Sequence, residues 1–291
     1  MKFVCIALMV FFSTYSQAQS RFDKVQITPH QITDHTYMLE GSGGNIGLYI
    51  GQNEVLLIDS QFAPLSDKIK AVILSISDKP LKWLVNTHWH GDHTGGNANL
   101  STEGLTIVGH KNVLHRLSNE NKRMGQIVPP APEAAWTDVA FNDELTLNVS
   151  GYNVMIQHVE NAHTDGDAFV LFVDDNVLHM GDCFFKGRFP FIDLSSNGSI
   201  EGYLKAVEVA MMMVNDETVI IPGHGDLAGK KDLMDYHTML TTVIGRMKVA
   251  MKTTDVLSDI STEEIVKGYE DWGSGYINSK RMVETLFKGL E

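Results

Sequence analysis

The stretch Asn86-Thr87-His88-Trp89-His90-Gly91-Asp92-His93-Thr94-Gly95-Gly96 puts three imidazoles and a carboxylate within six residues, directly after the apolar run Leu81–Thr87. Neutral imidazole and carboxylate are donors that suit zinc. On a strand end, alternate residues share a side, so His88 and His90 can reach one ion. The glycines let the loop turn back and bring Asp92 and His93 toward a neighbouring ion. The competing reading is a solvated histidine-rich loop that picks up metal incidentally. Three later segments weigh against it: Asn161-Ala162-His163-Thr164-Asp165-Gly166-Asp167, Gly181-Asp182-Cys183 and Ile220-Ile221-Pro222-Gly223-His224-Gly225. Each sets a metal-capable side chain at the end of a strand-like run, beside glycine. Singly, His163, Asp182 or His224 would read as a hydrogen-bonded structural residue. Following the first cluster in this order, they read as the rest of a metal shell.

The elements that must hold these residues alternate in type. Thr36–Glu40, Asn45–Ile50 and Glu54–Asp59 read as strands, Leu65–Ser75 as a helix, and Leu81–Thr87 as a strand buried on both sides. Leu105–Gly109 and Lys111–Glu120 read as strand and helix. Met124–Trp136, with Pro129, Pro130 and Pro132, reads as an unusually long loop. Strands follow at Glu144–Val149, Tyr152–Val159, Ala168–Val173, Asn176–Gly181 and Thr218–Ile221, with a helix over Ile200–Val214. Beyond Gly229 the chain turns helical, through Lys231–Lys252, Thr262–Tyr269 and Ser279–Leu290, with Ser261 and Glu264 spaced as a capping box. This order predicts two packed sheets flanked by helices in one domain.

On these residues the chain resembles the metallo-β-lactamase superfamily of zinc hydrolases. His88-x-His90-x-Asp92-His93, His163, Asp182 and His224 match that family's motif positions in order, from about residue 30 to 226. The resemblance implies an α/β fold, a four-layer αβ/βα sandwich with a dizinc site at the sheet edge. It implies that His88, His90 and His163 hold one zinc, that Asp92, His93 and His224 hold the second, and that Asp182 bridges them. Asp59 falls where the family often places a buried acid supporting the histidine loop. Gly181-Asp182-Cys183-Phe184-Phe185-Lys186 offers two candidate bridging residues, because the family's dizinc lactamases use a Cys with a Lys three residues on. On a strand only one of two adjacent residues can face the metals. Asp182 is the expected ligand and Cys183 a small buried thiol, which leaves Lys186 one residue out of register as a substrate anchor. Asn197 resembles the asparagine that lactamases place near the substrate carbonyl, or is a turn or capping asparagine. Trp89 either lines the entrance or covers the site. His110, His158 and His179 read as structural, and Met211-Met212-Met213 as core filling.

Composition narrows the chemistry. Of 291 residues, 43% are apolar and 20% charged, and the formal charge is −13 with no polybasic run, which disfavours nucleic acid and anionic membranes as partners. Lys2, the apolar run Phe3–Phe12 and Ser16-Gln17-Ala18 have the order of a secretory signal over residues 1–18. The mature domain, 19–291, would be periplasmic or secreted without membrane insertion, and its lone Cys183 can form no internal disulfide. Its core would span about 30–226, with a helical extension at 229–291. Two zinc ions would activate a water between them, with Asp92 orienting it and Asn197 aiding the carbonyl. Outside the cytosol the expected substrate is a small molecule with a β-lactam or lactone ring, selected by the Met124–Trp136 and Phe184–Phe191 segments. The alternatives are a mononuclear iron oxygenase, or a thioesterase- or sulfatase-type hydrolase.

Overall fold

The computed structural model describes residues 21–102, 104–123 and 125–291, and the leader expected over residues 1–18 lies outside the described residues. Strands β1 (Thr28–Gln31), β2 (Thr36–Glu40), β3 (Ile46–Ile50), β4 (Val55–Ile58), β5 (Leu81–Val85) and β6 (Thr106–His110) form one sheet in that order. A small separate hairpin of β7 (Asn121–Arg123) and β8 (Gln126–Val128) follows, and β9 (Val139–Phe141) completes the first sheet beside β6. The first four strands are antiparallel, whereas β4, β5, β6 and β9 run parallel. The second sheet is β10 (Glu144–Val149), β11 (Tyr152–His158), β12 (Ala168–Phe172), β13 (Val177–His179) and β14 (Val219–Ile221), antiparallel except for the last pair.

Side-chain alternation divides each strand between two cores. In β4, Leu56 and Ile58 enter the cluster between the sheets, where they join Val85, Val170, Phe172 and Ile221. Their neighbours Val55 and Leu57 face outward onto α1 (Ser66–Ile76), against Ile69 and Ile73. In the second sheet Phe169, Leu178 and Ile220 point the other way, onto the remaining large helices. The shorter helices are α2 (Gly91–Thr94), α3 (Asn97–Leu100) and α4 (Lys111–Ser118), followed by the long α5 (Ile200–Met213) and α6 (Lys230–Ala250) and by α7 (Thr262–Val266) and α8 (Ser279–Leu290). The result is the four-layer αβ/βα sandwich. Each fully buried Leu or Phe in these layers contributes about 1.5–3 kcal/mol, and β3, β4 and β13 are buried along their whole length.

The C-terminal helices complete the outer layer rather than trailing from it. Tyr236 and Leu240 of α6 and Met282 and Leu286 of α8 are buried in one cluster with Tyr203 and Val207 of α5. Ser199 caps α5 by accepting from Gly202 N at 2.9 Å, and Ser261 caps α7 by accepting from Glu264 N at 3.3 Å. No helix of the described residues is long and apolar enough to cross a membrane.

Three expectations are corrected. The β5 strand is only half buried: Lys82 is exposed, Leu81 and Trp83 are partly covered, and Leu84 and Val85 alone are buried. The stretch expected as loop at Met124–Trp136 contains β8, paired antiparallel with β7, and a single helical turn at Glu133–Ala135. Met212 is 79% exposed on α5, since three consecutive helical residues cannot share one face; only Met211 and Met213 pack against the core.

Candidate metal centre

Every residue of the expected shell stands just past a strand's C-terminal end, where the two sheets meet. His88, His90, Asp92 and His93 follow β5, His163 follows β11, Asp182 follows β13 and His224 follows β14. They gather into two groups that could hold a metal ion: His88, His90, His163 and Asp182, and Asp92, His93 and His224. Asp182 touches both. Its Oδ2 lies 3.9 Å from His88 Nε2 and 3.5 Å from His163 Nε2, while Oδ1 lies 3.1 Å from His93 Nε2 and 3.4 Å from His224 Nε2. Asp92 closes the second group at 3.5 Å from His224 Nε2. Only bare backbone fits between the groups: a Cβ on Gly223 would stand 2.2 Å from Asp182 Oδ1, and one on Gly44 would enter the His93 ring.

Second partners aim the imidazoles. Asp59 Oδ2 accepts from His93 Nδ1 at 2.7 Å and from Thr87 Oγ1 at 2.7 Å, and Thr87 Oγ1 in turn meets His88 Nδ1 at 3.1 Å. His163 Nδ1 donates to the Phe191 carbonyl at 2.6 Å. These bonds leave Nε2 of all three rings for the metal side. His90 is turned over: its Nε2 is held by Asp193 Oδ2 at 2.9 Å, and its Nδ1 faces His163 Nε2 at 2.8 Å. Asp59 is as expected from its place at the end of β4. Asp193 and the Phe191 carbonyl were not expected; the only trace of Asp193 is its spacing to Ser195 and Ser196, which reads as a turn.

The donor set fits a cation. His88 Nε2, His93 Nε2 and Asp182 Oδ1 are buried with no hydrogen-bond partner among the described residues, the last two close but misaligned. Burial opposes the charge of Asp182, yet the His93 and His224 imidazoles hold its carboxyl well below the usual range. Burial likewise opposes a charged His93, but Asp182 and Asp59 push it well above its ordinary value. His224 rises to about 9, against burial, through Asp182 and then Asp92. Burial takes His163 down to about 3, and burial with its imidazole neighbours lowers His88. Protons on His93 and His224 and a metal ion therefore compete for the same lone pairs.

Asp182 and Cys183 do not lie on a strand but in a one-turn 3-10 helix, Gly181–Cys183. The outcome expected from alternation holds for a different reason, since about 120° of helical rotation separates the two side chains. Cys183 faces the core, 1% exposed, and burial pushes its thiol well above the ordinary value. His110, His158 and His179 are bonded within the fold: Asn112 N donates to His110 Nδ1, His158 Nδ1 donates to the Asp167 carbonyl, and His179 Nε2 meets the Asn45 carbonyl.

A comparison of the chain with family models matches residues 39–224 to the metallo-β-lactamase superfamily. The chain belongs to the metallo-β-lactamase superfamily. A metallo-β-lactamase type 2 of Bacteroides fragilis is 23% identical over 244 residues, covering 79% of this chain and 92% of the relative. The hydroxyacylglutathione hydrolase GloC of Haemophilus influenzae is 30% identical over 154 residues, 51% of this chain and 70% of the relative. Among solved structures, a metallo-β-lactamase from Pontibacter korlensis superposes with a TM-score of 0.62 at 16% identity, over 74% of this chain and 99% of the other. A double mutant of a sec-alkyl sulfatase reaches 0.68 at 14% identity, over 91% of this chain and 51% of the other. The protein is accordingly a metal-dependent hydrolase of this superfamily.

Two expected substrate residues of the superfamily pattern are displaced. Lys186 donates to the Leu227 carbonyl at 2.6 Å, pairs with Asp232 at 3.4 Å and is absent from the lining of the metal cavity. Asn197 sits in the left-handed region (φ 58°) at the end of a helical turn, and its amide bonds Asp165 at 2.9 Å. It serves the turn and is absent from the lining of the metal cavity. That cavity, about 420 Å³, has Asp92, Asp182 and His224 at its floor, Phe62, Phe185, Phe189 and Phe191 in its walls, and Arg123 and Arg188 beside them. A larger polar cavity of about 870 Å³ around His110 and His158 contains none of the seven metal-capable residues.

Proposed function

We propose that the mature chain is an exported dizinc hydrolase that opens a β-lactam or lactone ring. The supporting observation is the division of Asp182, one oxygen toward His88 and His163 and the other toward His93 and His224. One carboxylate thus joins two ligand sets, and in this reading His88, His90 and His163 hold one zinc and Asp92, His93 and His224 the other. Bound there, zinc would lower the pKa of a coordinated water to about 7 and polarise the scissile carbonyl.

The chain's own residues supply the rest. Asp59, Thr87, Asp193 and the Phe191 carbonyl orient the rings of His93, His88, His90 and His163 respectively, each by holding one ring nitrogen. Asp92, about a quarter exposed, lines the cavity and can orient a water by accepting a hydrogen bond from it, while against burial the His93 and His224 imidazoles keep its carboxyl ionised, well below the usual range. The phenylalanine walls exclude bulk water, which strengthens every charge interaction inside, and they favour a compact cyclic acyl group over a charged polymer. The ordered charged, apolar and cleavage segments over residues 1–18 support export.

Elemental analysis of purified mature protein should find close to two zinc per chain, and a chromogenic cephalosporin or a lactone should be opened in a chelator-sensitive way. One iron and no zinc would replace this reading with the oxygenase. Cleavage of a sulfate ester or phosphodiester with both rings untouched would also overturn it. The similarity to the Haemophilus hydroxyacylglutathione hydrolase favours a thioester as the second substrate to screen.

A further inference from the structure

The loop after β5 has side-chain supports that aim its imidazoles, Asp59 for His93 and Asp193 for His90. Trp89 in the same loop is 5% exposed, covered by the Arg116 guanidinium at 5.4 Å from its ring. Asp182 is held differently. Its carboxylate meets the shell imidazoles themselves, so the backbone of the Gly181–Cys183 turn sets where that carboxylate stands. Ligand sets of this kind work only when held within about 0.5 Å of their productive geometry.

Two buried tyrosines reach that backbone from the C-terminal helices. Tyr203 of α5 donates its hydroxyl to the Asp182 carbonyl at 2.9 Å, and its oxygen stands 2.8 Å from the Tyr236 hydroxyl of α6. The Tyr203 hydrogen is committed to the carbonyl, so the hydrogen between the two phenols belongs to Tyr236. Burial pushes both phenols well above their ordinary value, and the Phe185 backbone, which draws Tyr236 back down, therefore offers its N–H to the Tyr236 oxygen. Donation runs in one direction, from Phe185 N–H through Tyr236 and Tyr203 to the Asp182 carbonyl. In a longer 3-10 helix Phe185 N–H would bond that carbonyl directly, three residues back. Here two hydroxyls stand between them. The turn stops at Cys183, Phe184 is extended (φ −145°, ψ 122°), and the Phe185 ring stacks on His224 at 5.2 Å.

Packing does not call for these hydroxyls. Both side chains are 0% exposed in one apolar cluster, where phenylalanine would fill the same space, and a buried hydroxyl costs free energy unless it is bonded. We propose that Tyr203 is a positioning residue for Asp182, and that the Tyr203–Tyr236 pair ties the aim of this carboxylate between the two ligand sets to the packing of α5 against α6. By spanning the Asp182 carbonyl and the Phe185 N–H, the pair fixes at once the carboxylate and the ring beside His224. The C-terminal helices then belong to the metal centre, although none of the seven metal-capable residues lies on them. Occupancy by two metals rests on the hydrolase reading; the hydrogen-bond chain does not.

In the mature chain Tyr203→Phe keeps the ring and removes the bond to the carbonyl. Competition with a chromogenic chelator should show zinc held about tenfold or more weakly at the looser site, as when other outer partners of metal ligands are lost. The cobalt-substituted variant should show shifted visible bands, which report ligand geometry, and kcat should fall by a larger factor than KM rises. Tyr236→Phe breaks the same chain one bond further back, leaving Tyr203 its acceptor; it should lose less, though still beyond about twofold, and it decides the matter if Tyr203→Phe does not fold. Val207→Ala, one turn along α5 in the same cluster, opens a cavity without touching the chain. It should melt at a lower temperature yet keep its cobalt bands and a zinc affinity within about twofold of the parent. Unshifted bands with zinc affinity within about twofold in the folded tyrosine variant, or a loss in Val207→Ala as large as in that variant, overturns the proposal. A parent that holds one metal overturns the dizinc reading alone, and the same comparison of affinity for that metal then decides Tyr203.

Discussion

Asp193→Asn tests how metal affinity is built at a distance from the metal. Asp193 is 2% exposed and uses both oxygens: Oδ2 accepts from His90 Nε2 at 2.9 Å and from Ser196 Oγ at 2.7 Å, and Oδ1 accepts from Ser195 N at 3.1 Å and from the Ser195 hydroxyl. An asparagine keeps the volume but must place an NH2 at one of these positions. At Oδ1 it meets the Ser195 N–H, donor against donor. At Oδ2 it meets His90 Nε2–H, and relief by moving that proton to Nδ1 blocks the nitrogen that faces the metal side. Loss of such a supporting carboxylate lowers metal affinity about 10–100-fold, which is about 1.4–2.7 kcal/mol at 1.36 kcal/mol per decade. Competition for zinc against a chromogenic chelator measures it directly. Ser196→Ala removes one donor to the same carboxylate while keeping its charge and should lose much less. Zinc affinity within twofold of the parent in a folded Asp193→Asn protein would refute the reasoning.

Asp182→Ala should lose one of two bound metals by elemental analysis and nearly all hydrolysis, whereas Cys183→Ser should retain both metals and unfold at a lower temperature, since burying a hydroxyl in the thiol's place costs about 1–3 kcal/mol. Lys186→Ala should leave KM for an anionic substrate within about twofold, because its ammonium already serves Leu227 and Asp232; a tenfold rise in KM would restore it as the anchor. His110 is held at about 4, first by burial and then by His158, which stacks on it at 3.8 Å. Its folded pKa is depressed below the ordinary 6.5, so the stability that neutral His110 contributes is present above that value and lost as pH falls toward 4. The melting-temperature difference between the parent and His110→Gln should therefore shrink between pH 7 and pH 5, and a constant difference would refute it.

Most of the metal centre was legible from residue type and order. Histidine and carboxylate are the only side chains that offer these donors, and their places after apolar strand runs follow from two-residue alternation and flanking glycine. Asp59 was legible for the same reason, as the acid that ends β4. What misled was local pattern standing in for position. Lys186 keeps a plausible spacing to Cys183, but the turn at Gly181–Cys183 rotates it onto the Leu227 carbonyl. Asn197 precedes a helix as a substrate asparagine would, yet its left-handed backbone commits it to the turn and to Asp165.

By itself the sequence determined the chemistry available: which donors exist, that they lie at strand ends, and that two sheets with helical covers must bring those ends together. Tertiary structure alone decided how the donors are shared and aimed. Asp182 reaches both groups because β13 and β14 pair in parallel and bring Asp182 and His224, which follow them, to the same sheet end. The orientation of His90 depends on Asp193, 103 residues away in sequence. The hairpin at Asn121–Val128 has no hydrophobic alternation to announce it; it is held over Trp89 by contacts with Phe191 and Asp193 from the far side of the site. Periodicity encodes which face of an element is buried, but not which distant partner meets it there.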